Sequence, residues 1–229
     1  MNPADLVPAA QEGCQASDSM TLRLAAHSAN PAVLADVFDE NVNIAVWKRE
    51  LSDDLQDAAI RFVASNPSFK RAMTVSPDGA LACVSEALGT SEPCTLSTNI
   101  AGLVEMFCYL LGIERAGLRL GVLDAAMCPK FHVDRVPCRL VTTFLGSGTE
   151  WLPNDVVDRT KLGLGSGGLP DLESGLLQTE NDIERLSCGD VAMLKGELWE
   201  GNEGAGLVHR SPTVTAGDAR LLLTLDVSH

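Results

Sequence analysis

The sequence predicts an α+β fold, a helical N-terminal layer packed against a C-terminal double-stranded β-helix of jelly-roll type. Three observations carry that prediction. Two amphipathic helix patterns stand in the first half, and from Leu118 onward short strand-like runs follow one another, broken by Gly, Pro and Asn. Regular punctuation of this kind fits a barrel or jelly roll better than a parallel sheet with crossover helices. The length, 229 residues, suits one undivided β-rich domain. Residues 1–20, rich in Ala, Pro, Gln and Ser, are expected to be a loose tail. Residues 21–229 are then one domain, with 21–116 as mixed helical and strand support and 117–229 as the β-helix core.

In chain order, N-V-N-I-A-V-W-K-R (41–49) alternates Val42, Ile44 and Val46 on one face, the pattern of a half-buried strand. Ser52 is a suitable N-cap, with Asp53 and Asp54 in the first turn and Leu55, Ala58, Ala59 and Phe62 at helical spacing. A second helix is predicted over T-N-I-A-G-L-V-E-M-F-C-Y-L-L, with Gly112 as its stop. The strand-like runs after it are L-R-L-G-V-L-D, K-F-H-V-D, R-L-V-T-T-F-L, D-V-A-M-L-K, G-L-V-H-R and R-L-L-L-T-L-D-V. Between Trp151 and Ser187 an insertion carries L-G-L-G-S-G-G-L-P, which reads as a mobile loop. It lacks the Gly-Lys-Ser/Thr ending of a phosphate-binding loop, so no nucleotide site is predicted there.

Charge narrows the function. Lys plus Arg number 17 against 31 Asp plus Glu, a net charge of -14, and such a mean field repels phosphate backbones and anionic lipid. Neither nucleic acid nor membrane is an expected partner, and ten aromatics are too few for a stacking platform. The N-terminus lacks the basic flank and apolar core of a signal peptide, and a cytoplasmic protein is expected. Seven cysteines (14, 83, 94, 108, 128, 138, 188) have no framework spacing, so no structural disulfide is predicted.

The chemistry concentrates in K-F-H-V-D-R-V-P-C-R (130–139). Residues at i and i+2 of a strand leave on one face, roughly 6 to 7 Å apart at Cα, so His132 and Asp134 can grip one metal ion. A hydrogen-bonded pair at a strand end is the plainer reading of an isolated H-x-D. Against it stand His209, at the end of another strand-like run, and Arg220, eleven residues further on at the head of R-L-L-L-T-L-D-V. Two His and one carboxylate leave open positions on the ion, the arrangement of non-haem Fe(II) oxygenases.

This pattern resembles the Fe(II)/2-oxoglutarate dioxygenase superfamily, marked by H-x-D, a distal His, and an Arg or Lys about ten residues beyond. The resemblance implies His132, Asp134 and His209 as iron ligands and Arg220 as the partner of the distal carboxylate of 2-oxoglutarate, with substrate unassigned. Many members carry Ser or Thr two residues after that Arg, where this chain has Leu222, with Thr224 one step further along the same face. The motif is shared with other metal-holding, cupin-like jelly rolls. Over most of its length the chain also resembles the bacterial domain-of-unknown-function 1826 family, through C-P-K-F-H-V-D-R-V-P-C-R-L-V-T-T-F-L-G-S-G-T-E-W-L-P, C-G-D-V-A-M-L-K-G and V-H-R-S-P. That resemblance implies a place in metal homeostasis and names no reaction.

Other readings of the same residues stay open. C-x3-H-x-D-x3-C offers Cys128 and Cys138 as additional ligands for Zn(II), although a straight strand would hold Cys128 roughly 13 Å from His132. Packing beside the site is the expected role of both thiols. A zinc hydrolase would need a general base, for which Glu150 is nearest in sequence, unless it is a solvated strand-end charge. Zinc binding without catalysis and a metal-free jelly-roll binding module are the remaining alternatives. Arg139, Thr142, Thr143, Trp151 and Asn154 could line a pocket, but alternation puts Leu140, Thr142 and Phe144 on one face and Arg139, Val141 and Thr143 on the other. Lys195 is a second candidate anion clamp or else an exposed hairpin lysine. His27 and His229 receive no role.

Overall fold

The computed structural model describes residues 23–228, so the expected tail 1–20 lies outside the described residues. Ten strands form two sheets: β1 (Leu24–Ser28), β2 (Val42–Trp47), β3 (Lys70–Val75), β4 (Ala116–Leu123), β5 (Cys138–Leu145), β6 (Glu150–Leu152), β7 (Glu184–Arg185), β8 (Val191–Lys195), β9 (Val208–Arg210) and β10 (Arg220–Val227). The large sheet has the order β1-β2-β8-β5-β10-β4-β3, the small one β7-β6-β9. All pairings are antiparallel except β1 with β2.

Three α-helices, α1 (Asp53–Ser65), α2 (Pro77–Ala87) and α3 (Thr95–Leu111), cover one face of the large sheet. Their limits follow from local chemistry. The Ser52 hydroxyl accepts from the Leu55 N–H at the start of α1, and Asp53 and Asp54 sit at its positive end. Gly112 stops α3 in the left-handed region at φ 62°, where a side chain would be strained. Beneath the helices Leu118, Leu120, Cys138, Leu140, Phe144, Leu221, Leu223 and Leu225 form a continuous apolar floor with Ile100, Leu103 and Phe107 of α3.

The opposite face of the large sheet takes the small sheet. Trp151 packs with Ile44, Val46, Val141, Ala192, Leu194 and Leu222, which makes three layers: helices, large sheet, small sheet. The insertion after β6 closes the outside of the small sheet, where Leu176 and Leu177 pack on Phe131, Leu152 and Val208. It is built of short 3-10 turns, and Lys130 donates to the carbonyls of Gly168 and Leu169 within it.

Three expectations are corrected here. The two sheets face each other without closing into a barrel among the described residues, and the sheet core is not confined to residues 117–229, because β1, β2 and β3 from the N-terminal half belong to the same sheet as β5, β8 and β10. The half-buried strand over 41–49 is instead internal, flanked by β1 and β8 and buried on both faces, because Ala45 meets the helices while Ile44 and Val46 meet the small sheet. The element over Lys130–Asp134 is no regular strand. Only His132 pairs, in an isolated antiparallel bridge with His209.

Candidate metal centre

The segment between β4 and β5 crosses from the large sheet to the edge of the small one, and three contacts place its side chains. His132 and His209 exchange both backbone hydrogen bonds, each N···O 3.0 Å. The neighbouring turn holds the other end of the motif: Gly196, Glu197 and Leu198 donate their N–H groups to the carbonyls of Pro137, Asp134 and Val136. Gly196 is required for that approach, since a Cβ there would stand 2.0 Å from the Val136 carbonyl oxygen. Finally, the buried Phe131 anchors the segment from below, and its N–H donates to Asp171 of the insertion.

The result brings His132, Asp134 and His209 together. One ligand atom from each lies within 4.8 Å of the others. His132 Nε2 is 3.7 Å from Asp134 Oδ1, and His209 Nε2 is 3.3 Å from Asp134 Oδ2. Each imidazole contacts through Nδ1 the carbonyl two residues before it, His132 to Lys130 O at 2.9 Å and His209 to Leu207 O at 3.2 Å. A carbonyl only accepts, so Nδ1 carries the proton and Nε2 is the nitrogen turned to the carboxylate. Two imidazole Nε2 atoms and a carboxylate facing one point are a donor set of the kind that can hold a cation, and such hydrogen bonds at the far nitrogen are how metal-bound His are oriented. Burial, then the neighbouring His209, lower the His132 pKa, which keeps its ring neutral and available.

Arg139 fixes the carboxylate. Its Nη1 donates to Asp134 Oδ2 at 2.5 Å, while Nε and Nη2 form a fork on Asp226 at 2.6 and 3.1 Å. Arg119 pairs with Asp226 from the other side, so alternating charges run outward from the triad. Burial alone would raise the Asp134 pKa, but His209, then Arg139 and His132, outweigh it and bring the carboxyl to about 2.

Arg220 lines the same cavity, of about 380 Å³, as His132, His209 and Arg139. Only 1% exposed, it sits on the cavity face of β10 with Leu222 and Thr224. Its Nη2 donates to the hydroxyls of Thr143 at 3.1 Å and Thr149 at 2.8 Å, its Nε is buried without a partner, and no carboxylate contacts it among the described residues. Burial lowers its pKa to about 10, partly offset by the more distant Glu150.

The remaining sequence candidates fall elsewhere. Alternation on β5 holds: Arg139 and Val141 line the cavity and Thr143 holds Arg220, whereas Thr142 points away. Cys138 lies in the helix-side core, where burial pushes its thiol to about 12. Cys128 is an exposed thiol on the cavity wall, outside the triad. Glu150 is neither a free base nor a solvated charge: it is buried, paired with Arg185 and with Arg210 at 2.7 Å, on the face of β6 opposite to Trp151. Lys195 is not an exposed hairpin residue either. It is 2% exposed on the helix side, where Nζ donates to Asp39 O, and cannot clamp an anion in the cavity. Trp151 is core, and Asn154 accepts from Arg159. The six described cysteines are free. Sequence reasoning missed Asp226, whose only local signal is a carboxylate interrupting an apolar strand, and Asp171, which carries no signal.

Among the described residues no helix is long and apolar enough to cross a membrane. No curated protein matches the sequence. Distant similarity in structure links the chain to a dioxygenase for auxin oxidation from rice (TM-score 0.47, 12% identity, 89% of this chain and 82% of that one). It is also similar to a full-length Neurospora crassa protein solved in complex with alpha-KG (0.45, 9%, 91% and 85%), and to a 2OG-Fe(II) oxygenase family protein from Caulobacter crescentus (0.44, 12%, 90% and 86%). Likeness at this distance decides nothing about chemistry. Sequence similarity is firmer, because the model of the family described as "Protein of unknown function (DUF1826)" matches residues 28–226, and the chain therefore belongs to the DUF1826 family.

Proposed function

We propose that the chain is an oxygenase of the Fe(II)/2-oxoglutarate type, with His132, Asp134 and His209 holding the iron and Arg220 holding a carboxylate of 2-oxoglutarate. The observation that carries this reading is Arg220, a buried guanidinium with no counter-charge in contact, in the same cavity as the triad. An uncompensated buried charge costs several kcal/mol, and an anionic co-substrate supplies the partner it lacks.

The donor set fits the metal. Two imidazoles and a carboxylate approach from one side, which leaves the remaining positions to ligands from the cavity. Bound there, iron with 2-oxoglutarate supplies activation of O2, and the chain supplies placement and exclusion of water. Arg139 keeps Asp134 ionised and oriented. Thr143 and Thr149 engage Nη2 of Arg220 and leave its other nitrogens for a carboxylate. Val141, Leu194 and Leu222 form an apolar wall against which bulk water is disfavoured.

The zinc alternatives are less well supported. A structural zinc site is closed by four protein ligands, and Cys138 faces the other side of the sheet. A zinc hydrolase needs a free base, and Glu150 is held by two arginines. The test is an anaerobic titration of Fe(II), then 2-oxoglutarate, into the metal-free full chain and its Arg220→Ala variant. The variant is expected to keep the metal and to bind 2-oxoglutarate about 2 to 5 kcal/mol more weakly. Equal binding by both proteins, or none by either, sinks the proposal.

A further inference from the structure

The cavity is charged against the grain of the molecule. Six of the chain's 17 lysines and arginines line it, and none of its 31 acidic residues does, Asp134 being turned to Arg139 and the histidines. Arg139, Arg210 and Arg220 are occupied by the contacts above, or by the proposed co-substrate. Lys70 and Arg119 are not absorbed by that arrangement, and the sixth, Arg71, stands opposite Leu120 on the alternate face of β3. Lys70 is exposed and makes no ion pair among the described residues. Arg119 reaches Asp226 through Nη1 alone, and its side chain stays 60% exposed.

The register puts these two cations side by side. Lys70 stands opposite Gly121 and Ala72 opposite Arg119, so Lys70 and Arg119 are diagonal neighbours on the cavity face of β3 and β4. Gly121 leaves the lysine stem room to lie across the strand, its missing Cβ falling 3.7 Å from Lys70 Cγ. Diagonal partners are within reach of long side chains, and two like charges there repel unless an anion lies between them. Edge strands do carry charge to block pairing. That role does not account for a lining free of acidic side chains in a protein of net charge -14. Ala72, Leu123, Met127 and Leu222 supply apolar wall in the same cavity.

We infer that Lys70 and Arg119 form a second anion site at the cavity rim, which binds the carboxylate or phosphate of a small organic molecule whose apolar body lies on Ala72, Leu123, Met127 and Leu222. That this molecule is the primary substrate rests on the proposed function; the anion site itself does not. Neutral or cationic compounds of the same shape are discriminated against, since the lining attracts anions before contact.

The experiment uses the full chain without metal, so it reads the rim whether or not the iron assignment stands. Phenylacetate, phenyl phosphate and 2-phenylethanol are titrated calorimetrically into the unaltered protein, Lys70→Glu and Arg220→Ala. At least one anion is expected to bind ten times more tightly than the alcohol, and the tighter anion identifies the group recognised. Lys70→Glu should weaken that anion at least tenfold and leave the alcohol unchanged, while Arg220→Ala stays within twofold. The inference is overturned if no probe binds, if the alcohol equals both anions, if Lys70→Glu has no effect, or if Arg220→Ala alone abolishes binding. In that last case the anion sits at the clamp proposed for 2-oxoglutarate, and the rim is not a site.

Discussion

The two faces of the large sheet are built from the same strands and obey opposite rules. On β10, Leu221, Leu223 and Leu225 go to the helices, while Arg220, Leu222 and Thr224 go to the cavity and Asp226, on their face of the strand, is taken up by Arg139. On β5, Cys138, Leu140 and Phe144 go one way and Arg139, Val141 and Thr143 the other. The helix face is dominated by apolar packing. The cavity face buries charges whose partners are fixed in geometry, and one, Arg220, whose partner is missing. Alternation thus lets a single strand carry stability on one side and chemistry on the other, at a separation of one residue.

The comparison can be broken most sharply at Phe144, fully buried on the helix side. Phe144→Ala is expected to lower stability by about 3 to 5 kcal/mol in chemical denaturation while leaving metal affinity unchanged. Loss of the metal site in that variant while it remains folded would show that the two faces are not independent. Next in size is Asp226→Asn, which keeps the shape but loosens the fork on Arg139. Metal affinity should fall about 10- to 100-fold, read by competition with a chelator. An unchanged affinity would mean that Arg139 needs no anchor.

Arg220→Met tests the sign. Because the guanidinium is buried without a carboxylate, replacing it with an apolar side chain should raise the stability of the metal-free chain, by about 1 to 2 kcal/mol in the same denaturation experiment. A drop in stability would show that the two threonine hydrogen bonds outweigh the desolvated charge. The smallest effect concerns thiols ten residues apart. Cys128 is exposed on the cavity wall, whereas Cys138 is in the core with its pKa at about 12. Iodoacetamide at pH 8 should label Cys128 in the folded chain and Cys138 only after denaturation, as mapped by mass spectrometry.

The triad was legible because its residue types are few and their spacing survives in one dimension: H-x-D, a distal His, and Arg220 as the charge that opens an apolar strand. What surrounds the triad was less so. Asp226 is 87 residues from the Arg139 it anchors, and nothing local marks the pair. The sequence Met193-Leu194-Lys195-Gly196-Glu197 looks like an exposed turn, yet Lys195 is buried and Gly196 is the bed on which the motif segment lies. β6 and β7, three and two residues long, are too short for any periodicity to register. β3 has an exposed face toward the rim and so no clean alternation to detect. The jelly roll was expected from residues 117–229 alone because strand runs give number and spacing, whereas which strands share a sheet depends on which edges pair, and β1, β2 and β3 join the large sheet from outside that stretch.

That open construction has a mechanical consequence. The two sheets share no strand pairing among the described residues, and the proposed ligands straddle their seam: His209 rides on the small sheet, while Asp134 is tied through Arg139 to the large one. Arg220 spans it too, with one hydroxyl partner on β5 and the other just before β6. Any widening of the sandwich therefore stretches the triad and the anion clamp together. An ion and a carboxylate seated there would act as two clasps on one opening, so filling either site should slow the breathing of the sheets and tighten the other.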